Sequence, residues 1–266
     1  MPAVKWCRIA VDGRTRYAMV EGDEAVEVDG SPFDEHRATG RRHPMASVKL
    51  LVPVVPANFY AVGVNYAAHV EWAARKKGLP VTLPKQADIG YRSVSALIAT
   101  GESIVVPADS PGPVEYEGEL VAVVGRRARN LSEDEALGCI LGYTLGNDVS
   151  ERAWQQSDRT LWRAKNTDTF KPMGPVIATG LDPMRQRVLV RIDGRVVADY
   201  DTGAMIFSVA HYVARMTRYV TLHPGDVIWL GTDGATEPPL RPGQVVEVED
   251  AAIGVLRSPV VAEATR

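Results

Sequence analysis

In the stretch Val-Glu-Tyr-Glu-Gly-Glu-Leu-Val-Ala-Val-Val-Gly, Glu115, Glu117 and Glu119 alternate with Tyr116, Gly118 and Leu120. On a strand, that spacing sends all three carboxylates out from one face. The run passes directly into the apolar residues 120–124, which predicts a largely buried strand. Like charges so placed repel, and a buried anion needs a cation, a proton or a dense set of hydrogen bonds. A hard divalent metal would meet that need. An acidic face turned to water is the plainer alternative.

A fourth acid, Asp148, stands where a short strand from Gly142 runs through Asn147 toward a helix expected from Ser150. Its plain role is helix N-cap, with Glu151 three positions on completing a capping box. Arg152 and Gln155 share one face of that helix and could grip a carboxylate or face solvent. His69 follows an apolar strand and Gly63, and a lone histidine of this kind is usually structural. Lys165 lies in a polar turn, where lysines are normally solvated. The loop from Gly231 to Gly234 could present backbone N–H groups to an anion, or serve only as a turn.

The elements that must hold these residues read as mostly strand. Short strand runs broken by Asp12-Gly13 and Glu21-Gly22-Asp23 predict a small N-terminal β domain with its connection over residues 1–50, residues 30–44 forming a polar link. The main domain is expected over residues 51–266. Helices are predicted at 67–77, stopped by Gly78 and Pro80, and at 132–137, 150–156 and 206–217. Residues 79–91 are polar and irregular, as a surface loop or a closing lid would be. The expected fold class is mixed α/β and β-rich.

Composition narrows the partners. A chain of 266 residues with 45% hydrophobic and 24% charged residues and a formal net charge of -3 is ordinary globular material. Nothing in it favours nucleic acid or an anionic membrane surface. There is no apolar leader behind a basic start and no apolar run of spanning length. Cys7 and Cys139 are far apart and lack metal-ligand spacing, so a reducing cytoplasm is expected. No GxGxxG or GxxxxGK[ST] loop points to a nucleotide.

Taken in order, YEGELVAVVGRRARNLSEDEALGCILGYTLGNDVSERAWQ, WRAKNTDTFKPMGP, TLHPGDVIWLGT and IGVLRSPV resemble the fumarylacetoacetate hydrolase family from Phe59 to about Pro259. The resemblance implies a β-roll main domain with a small N-terminal domain, assembly as a homodimer, and Mg2+, Mn2+ or sometimes Ca2+ held by three carboxylates. Glu117, Glu119 and Asp148 fall on the family's EGE and ND motifs and become the expected metal ligands. Glu115 is left as a supporting or solvent group. GVNYAAH resembles the family's G-x-N-Y-x-x-H, which makes His69 the candidate base with Tyr66 beside the substrate. Lys165 matches the lysine of A-K-x-x-D-T-F and becomes catalytic. Arg152 and Gln155 match R-x-x-Q, and Thr232 matches the G-T that meets the substrate's carboxylate end.

Three positions depart from the family. Many relatives carry a glutamate three residues after the histidine, forming a His–Glu dyad; here Trp72 occupies that place and Glu71 comes one position early, as a candidate stand-in. Arg92 replaces a lysine, and DGATEPPL replaces the commoner P-A-G-V-G. The resemblance implies an enzyme of small 2-oxo acids, foremost one hydrolysing a C–C bond of an acylpyruvate-like substrate. Oxaloacetate-type decarboxylation and 2-oxo-enoate hydration or isomerisation are the neighbouring reactions. A non-catalytic metal and oxo-acid binder on the same scaffold is the alternative of another class.

Overall fold

The apolar run after the three glutamates forms the strand Gly118–Val124, every residue of it buried. This computed structural model describes residues 3–264. The strand pairs antiparallel with Ile140–Asn147 on one side and Val227–Trp229 on the other. It is therefore interior to a large sheet running, in order, His36–Pro44, Glu24–Gly30, Arg14–Glu21, Lys5–Val11, Lys171–Ala178, Ile140–Asn147, Gly118–Val124, Val227–Trp229, Phe59–Val62 and Ile89–Tyr91. A second sheet of Arg195–Asp201, Arg187–Ile192, Val245–Asp250, Gly254–Ala262 and Ile104–Val106 packs against it.

The contact between the sheets passes through Gly118. A Cβ there would lie 2.5 Å from Val190 Cγ2 and 3.2 Å from Val248 Cγ1, so no larger residue fits between the two glutamates without displacing the second sheet. This is the β-rich mixed fold with a rolled main sheet that the sequence implied. The N-terminal strands join the main sheet through Lys5–Val11, which pairs with Lys171–Ala178 at Lys5–Ala178 and Trp6–Ile177.

Helix α1 spans Ala67–Lys77, and Gly78 ends it in the left-handed conformation at φ 64°. Helices α2 (Glu133–Ala136), α3 (Arg152–Ser157) and α4 (Val209–Tyr219) follow. Among the described residues, no helix is long and apolar enough to cross a membrane.

Several local expectations are corrected. The expected link over residues 30–44 contains a strand, His36–Pro44, which pairs with Glu24–Gly30 and, as the sheet's last strand, keeps its polar side chains in water. Residues 150–151 are not helical: Ser150 and Glu151 pair with Glu115 and Val114, and α3 begins at Arg152. Its N-cap is Glu151, whose carboxylate accepts from Trp154 N–H, so Asp148 is free of capping. The acidic run is likewise two strands, Val114–Glu115 and Gly118–Val124, with a break at Tyr116 and Glu117. α4 starts three residues later than predicted because Ser208 caps it, its side chain accepting from His211 N–H at 3.1 Å.

Candidate functional site

The break in the acidic run sends Glu117 and Glu119 toward the end of the neighbouring strand, where Asp148 lies. Asp148 N–H donates to Glu117 C=O at 2.8 Å, and Glu117 N–H donates to the Asn147 side chain at 3.0 Å, fixing the two strand ends together. Oxygens of Glu117, Glu119 and Asp148 come within 4.8 Å of one another, and all three residues are buried.

Four cations surround them, unevenly. Asp148 receives Arg92 at 2.8 Å, Lys165 at 2.9 Å and Lys171 at 2.7 Å. Glu117 receives Lys165 at 2.7 Å and Arg152 at 2.8 Å. Glu119 instead accepts one backbone N–H, that of Gly231, at 2.8 Å. Burial works to raise all three carboxyls. On Asp148 that is overcome by Arg92, Lys165 and Lys171, which hold it well below the usual range, and on Glu117 by Lys165 and Arg152, which hold it down to about 2. On Glu119 burial wins, reinforced by the charges of Asp148 and Glu117, and pushes it up to about 8.

The acids open into a cavity of about 190 Å³, which His69, Arg92, Gln155, Leu161, Lys165 and Thr232 help to line. His69 Nδ1 lies 2.8 Å from the carbonyl oxygen of Gly234. A carbonyl only accepts, so Nδ1 carries the proton and Nε2 is the ring nitrogen left basic. Gln155 Oε1 accepts from Arg152 at 2.7 Å, leaving its amide NH2 to donate into the cavity. Arg152 itself also holds buried Glu115, at 2.7 Å, and Lys76 of α1 reaches the same carboxylate at 3.2 Å.

The chain matches the model "Fumarylacetoacetate (FAA) hydrolase C-terminal" over residues 58–261, and "Rv2993c-like, N-terminal" over residues 4–53. The chain belongs to the fumarylacetoacetate hydrolase family. Protein Rv2993c of Mycobacterium tuberculosis is 36% identical, over 96% of this chain and 97% of its own. The mitochondrial oxaloacetate tautomerase fahd2 of Xenopus laevis is 30% identical, over 93% of this chain and 78% of its own. The crystal structure of a 5-carboxymethyl-2-hydroxymuconate delta-isomerase from Mycobacterium smegmatis superposes with a TM-score of 0.87 at 36% identity, covering 97% of this chain and all of that one, 100%.

As in the sequence motifs of the family, the structure gathers Glu117, Glu119, Asp148, Lys165, His69, Gln155 and Thr232 around one cavity. The donor set fits a divalent cation: three buried carboxylates in mutual reach, one of them without a cationic partner, offer hard oxygen atoms of the kind Mg2+, Mn2+ and Ca2+ take. Tyr66 is elsewhere: it is fully buried and packs edge-on against Tyr200, with ring centroids 5.1 Å apart. Glu71 is exposed, two residues beyond His69 and so about 200° around the helix from it. Trp72 lies over the imidazole instead, 5.5 Å between centroids.

Two cations escaped the sequence reading. In the sequence Arg92 stands out only as a replacement for lysine, and Lys171 falls on none of the candidate positions. A signal for Lys171 was present: a lysine opening the apolar run KPMGPVIA must be buried with it, and a buried ammonium needs a carboxylate. In the structure Lys171 is wholly buried, donates to the carbonyls of Val149 and Phe170, and burial lowers it to about 8 despite Asp148.

Proposed function

We propose that this chain interconverts the enol and keto forms of a small 2-oxo dicarboxylate, with oxaloacetate as the compound to test first. The charge inventory carries the reading. Glu115, Glu117, Glu119 and Asp148 are balanced by Arg92, Arg152, Lys165 and Lys171. Among these eight groups one divalent cation on the three carboxylates leaves an excess of positive charge in a largely desolvated site, an excess that persists when half-buried Asp233 is counted and that an anionic substrate offsets.

Size supports the same class. A cavity of about 190 Å³ is smaller than the ~300–1,000 Å³ of pockets that hold drug-sized ligands. Hydrolysis of an acylpyruvate, the reaction foremost in the sequence reading, needs room for a longer substrate and for an attacking water of roughly 30 Å³. Tautomerisation moves only a proton. Relatives with names in the oxaloacetate tautomerase and isomerase classes, at 30% and 36% identity, agree with the smaller demand.

In this reading His69 takes the proton from the carbon beside the oxo group through Nε2, and the proton returns to oxygen to give the enol. Lys165 reaches into the same cavity and offsets the negative charge that gathers on that oxygen. Gln155 and Thr232 hold the carboxylate ends. A divalent cation bound by Glu117, Glu119 and Asp148 would supply Lewis-acid polarisation of the substrate's oxygens. The test follows decay of the enol absorbance of oxaloacetate with protein and Mg2+ or Mn2+, while CO2 release and acylpyruvate cleavage are assayed in parallel. Enol decay at the buffer rate alongside acylpyruvate cleavage would replace tautomerisation by hydrolysis, and CO2 release in step with oxaloacetate loss would replace it by decarboxylation.

A further inference from the structure

The loop after Val227–Trp229 reaches Glu119, Glu115, Arg152 and helix α1. Gly231 N–H donates to Glu119, Thr232 lines the cavity, and Thr236 Oγ1 meets both Glu115 and Arg152. Asp233 Oδ1 accepts from Gly234 N–H at 2.8 Å and from His69 N–H at 3.2 Å, while the Gly234 carbonyl takes His69 Nδ1 at 2.8 Å. Glu237 holds Lys76, two turns further along α1, at 2.7 Å. Residues 231–237 thus form a strap fastened to both ends of α1's inner face.

We propose that this strap replaces the carboxylate partner of a His–Glu dyad, with the Gly234 carbonyl fixing the tautomer of His69 and Asp233 as the positioning residue that aims that carbonyl. The inference deepens the proposed role of His69 as proton carrier and rests on it. Three observations converge. Trp72, in the position where the partner glutamate would stand, offers only an indole donor and lies tilted against the ring at 33°. Glu71 is on another face of the helix. Asp233 is bound at once to the peptide N–H of the residue whose carbonyl is used and to that of His69 itself, so one side chain sets their separation. The ring itself thus meets a neutral backbone acceptor, while the carboxylate of the strap, Asp233, is taken up by two peptide N–H groups.

The decisive measurement is nitrogen-15 NMR of the histidine ring in the full-length protein, with His69 assigned by the signal lost in His69→Gln. The expected result is the Nδ1–H tautomer in the parent, a shift toward the Nε2–H form in Asp233→Ala, and return to Nδ1–H in Asp233→Asn, whose amide oxygen can accept the same bonds. In parallel, Asp233→Ala should lower kcat by about tenfold to a hundredfold, part of the ~10²–10⁴ that a positioned base contributes. KM and Mn2+ affinity should stay within about twofold, because Asp233 touches neither metal ligands nor cavity floor. An Nε2–H parent, or an Asp233→Ala protein with unchanged tautomer and kcat, would overturn the proposal. The tautomer is read without turnover, so a parent with the Nδ1–H ring and no tautomerase activity would sink the proposed reaction and leave the strap's role standing.

Discussion

Lys165 places its ammonium nitrogen 2.7 Å from Oε2 of Glu117. The same nitrogen is 2.9 Å from Asp148, so it sits between two of the three carboxylates and competes with any cation they would bind. Catalysis and metal affinity should therefore respond to its removal in opposite directions. Lys165→Met is expected to bind Mn2+ more tightly than the parent while losing on the order of 10²–10³ in kcat, the size of one lost electrostatic donor. Calorimetry and steady-state kinetics on the same preparation test both signs, and weaker Mn2+ binding would contradict this placement of the lysine.

Glu119 gives the site its pH dependence. Burial, then Asp148 and Glu117, raise its carboxyl to about 8 from an unfolded value near 4.5. The folded metal-free protein thus holds this proton more tightly than the unfolded chain. Its contribution to stability is fully present below about 4.5 and is lost as pH rises through about 8. A metal must displace the proton, so Mg2+ or Mn2+ affinity should climb about tenfold per pH unit up to about 8 and then level. Titrations in buffers of different ionisation enthalpy should show about one proton released per metal at pH 7. Glu119→Gln should abolish that release and weaken binding on the order of a hundredfold or more.

Much of this site is legible in the residues themselves. The EGE and ND motifs singled out Glu117, Glu119 and Asp148 before their convergence was visible, and α1 with its glycine stop is marked by local chemistry alone. Asp148 was ambiguous for a physical reason: an acid three residues before a glutamate fits a capping box, and only the strand pairing of Ser150 and Glu151 with Val114 and Glu115 moves the cap to Glu151. Arg92 and Lys171 reach Asp148 from 56 and 23 positions away in the chain, and no local periodicity encodes such contacts. Asp233 and Gly234 act on His69 across 164 and 165 positions, partly through a backbone carbonyl, which no side-chain pattern reports.

The cysteines carry no chemistry in this frame. Cys7 and Cys139 are both free and buried, and burial pushes the Cys7 thiol up to about 12 and raises that of Cys139 as well. Neither presents a thiolate to a reagent near neutral pH. A disulfide reagent that releases a coloured thiolate should find essentially no reactive group in the native protein and two after unfolding, in agreement with the chain's 2 cysteines. Rapid labelling of the native protein would show that one of these thiols is open to solvent.

Gly118 links the second sheet to the two buried carboxylates on either side of it. Gly118→Ala would drive a Cβ to 2.5 Å from Val190 Cγ2, so either the sheets part or the strand shifts, and Glu117 and Glu119 move with it. Such overpacking should cost about 1–3 kcal/mol, seen as a fall in Tm of roughly 2–4 °C per kcal/mol in a chain of this size. Mn2+ affinity should fall as well, because the two flanking carboxylates no longer meet Asp148 squarely. Val190→Ala removes the methyl group that the new Cβ strikes. Introduced into Gly118→Ala it should recover part of the lost metal affinity, although alone it lowers Tm by leaving a cavity in the core. Strictly additive effects of the two substitutions on affinity would show that the glycine is there for some reason other than this contact.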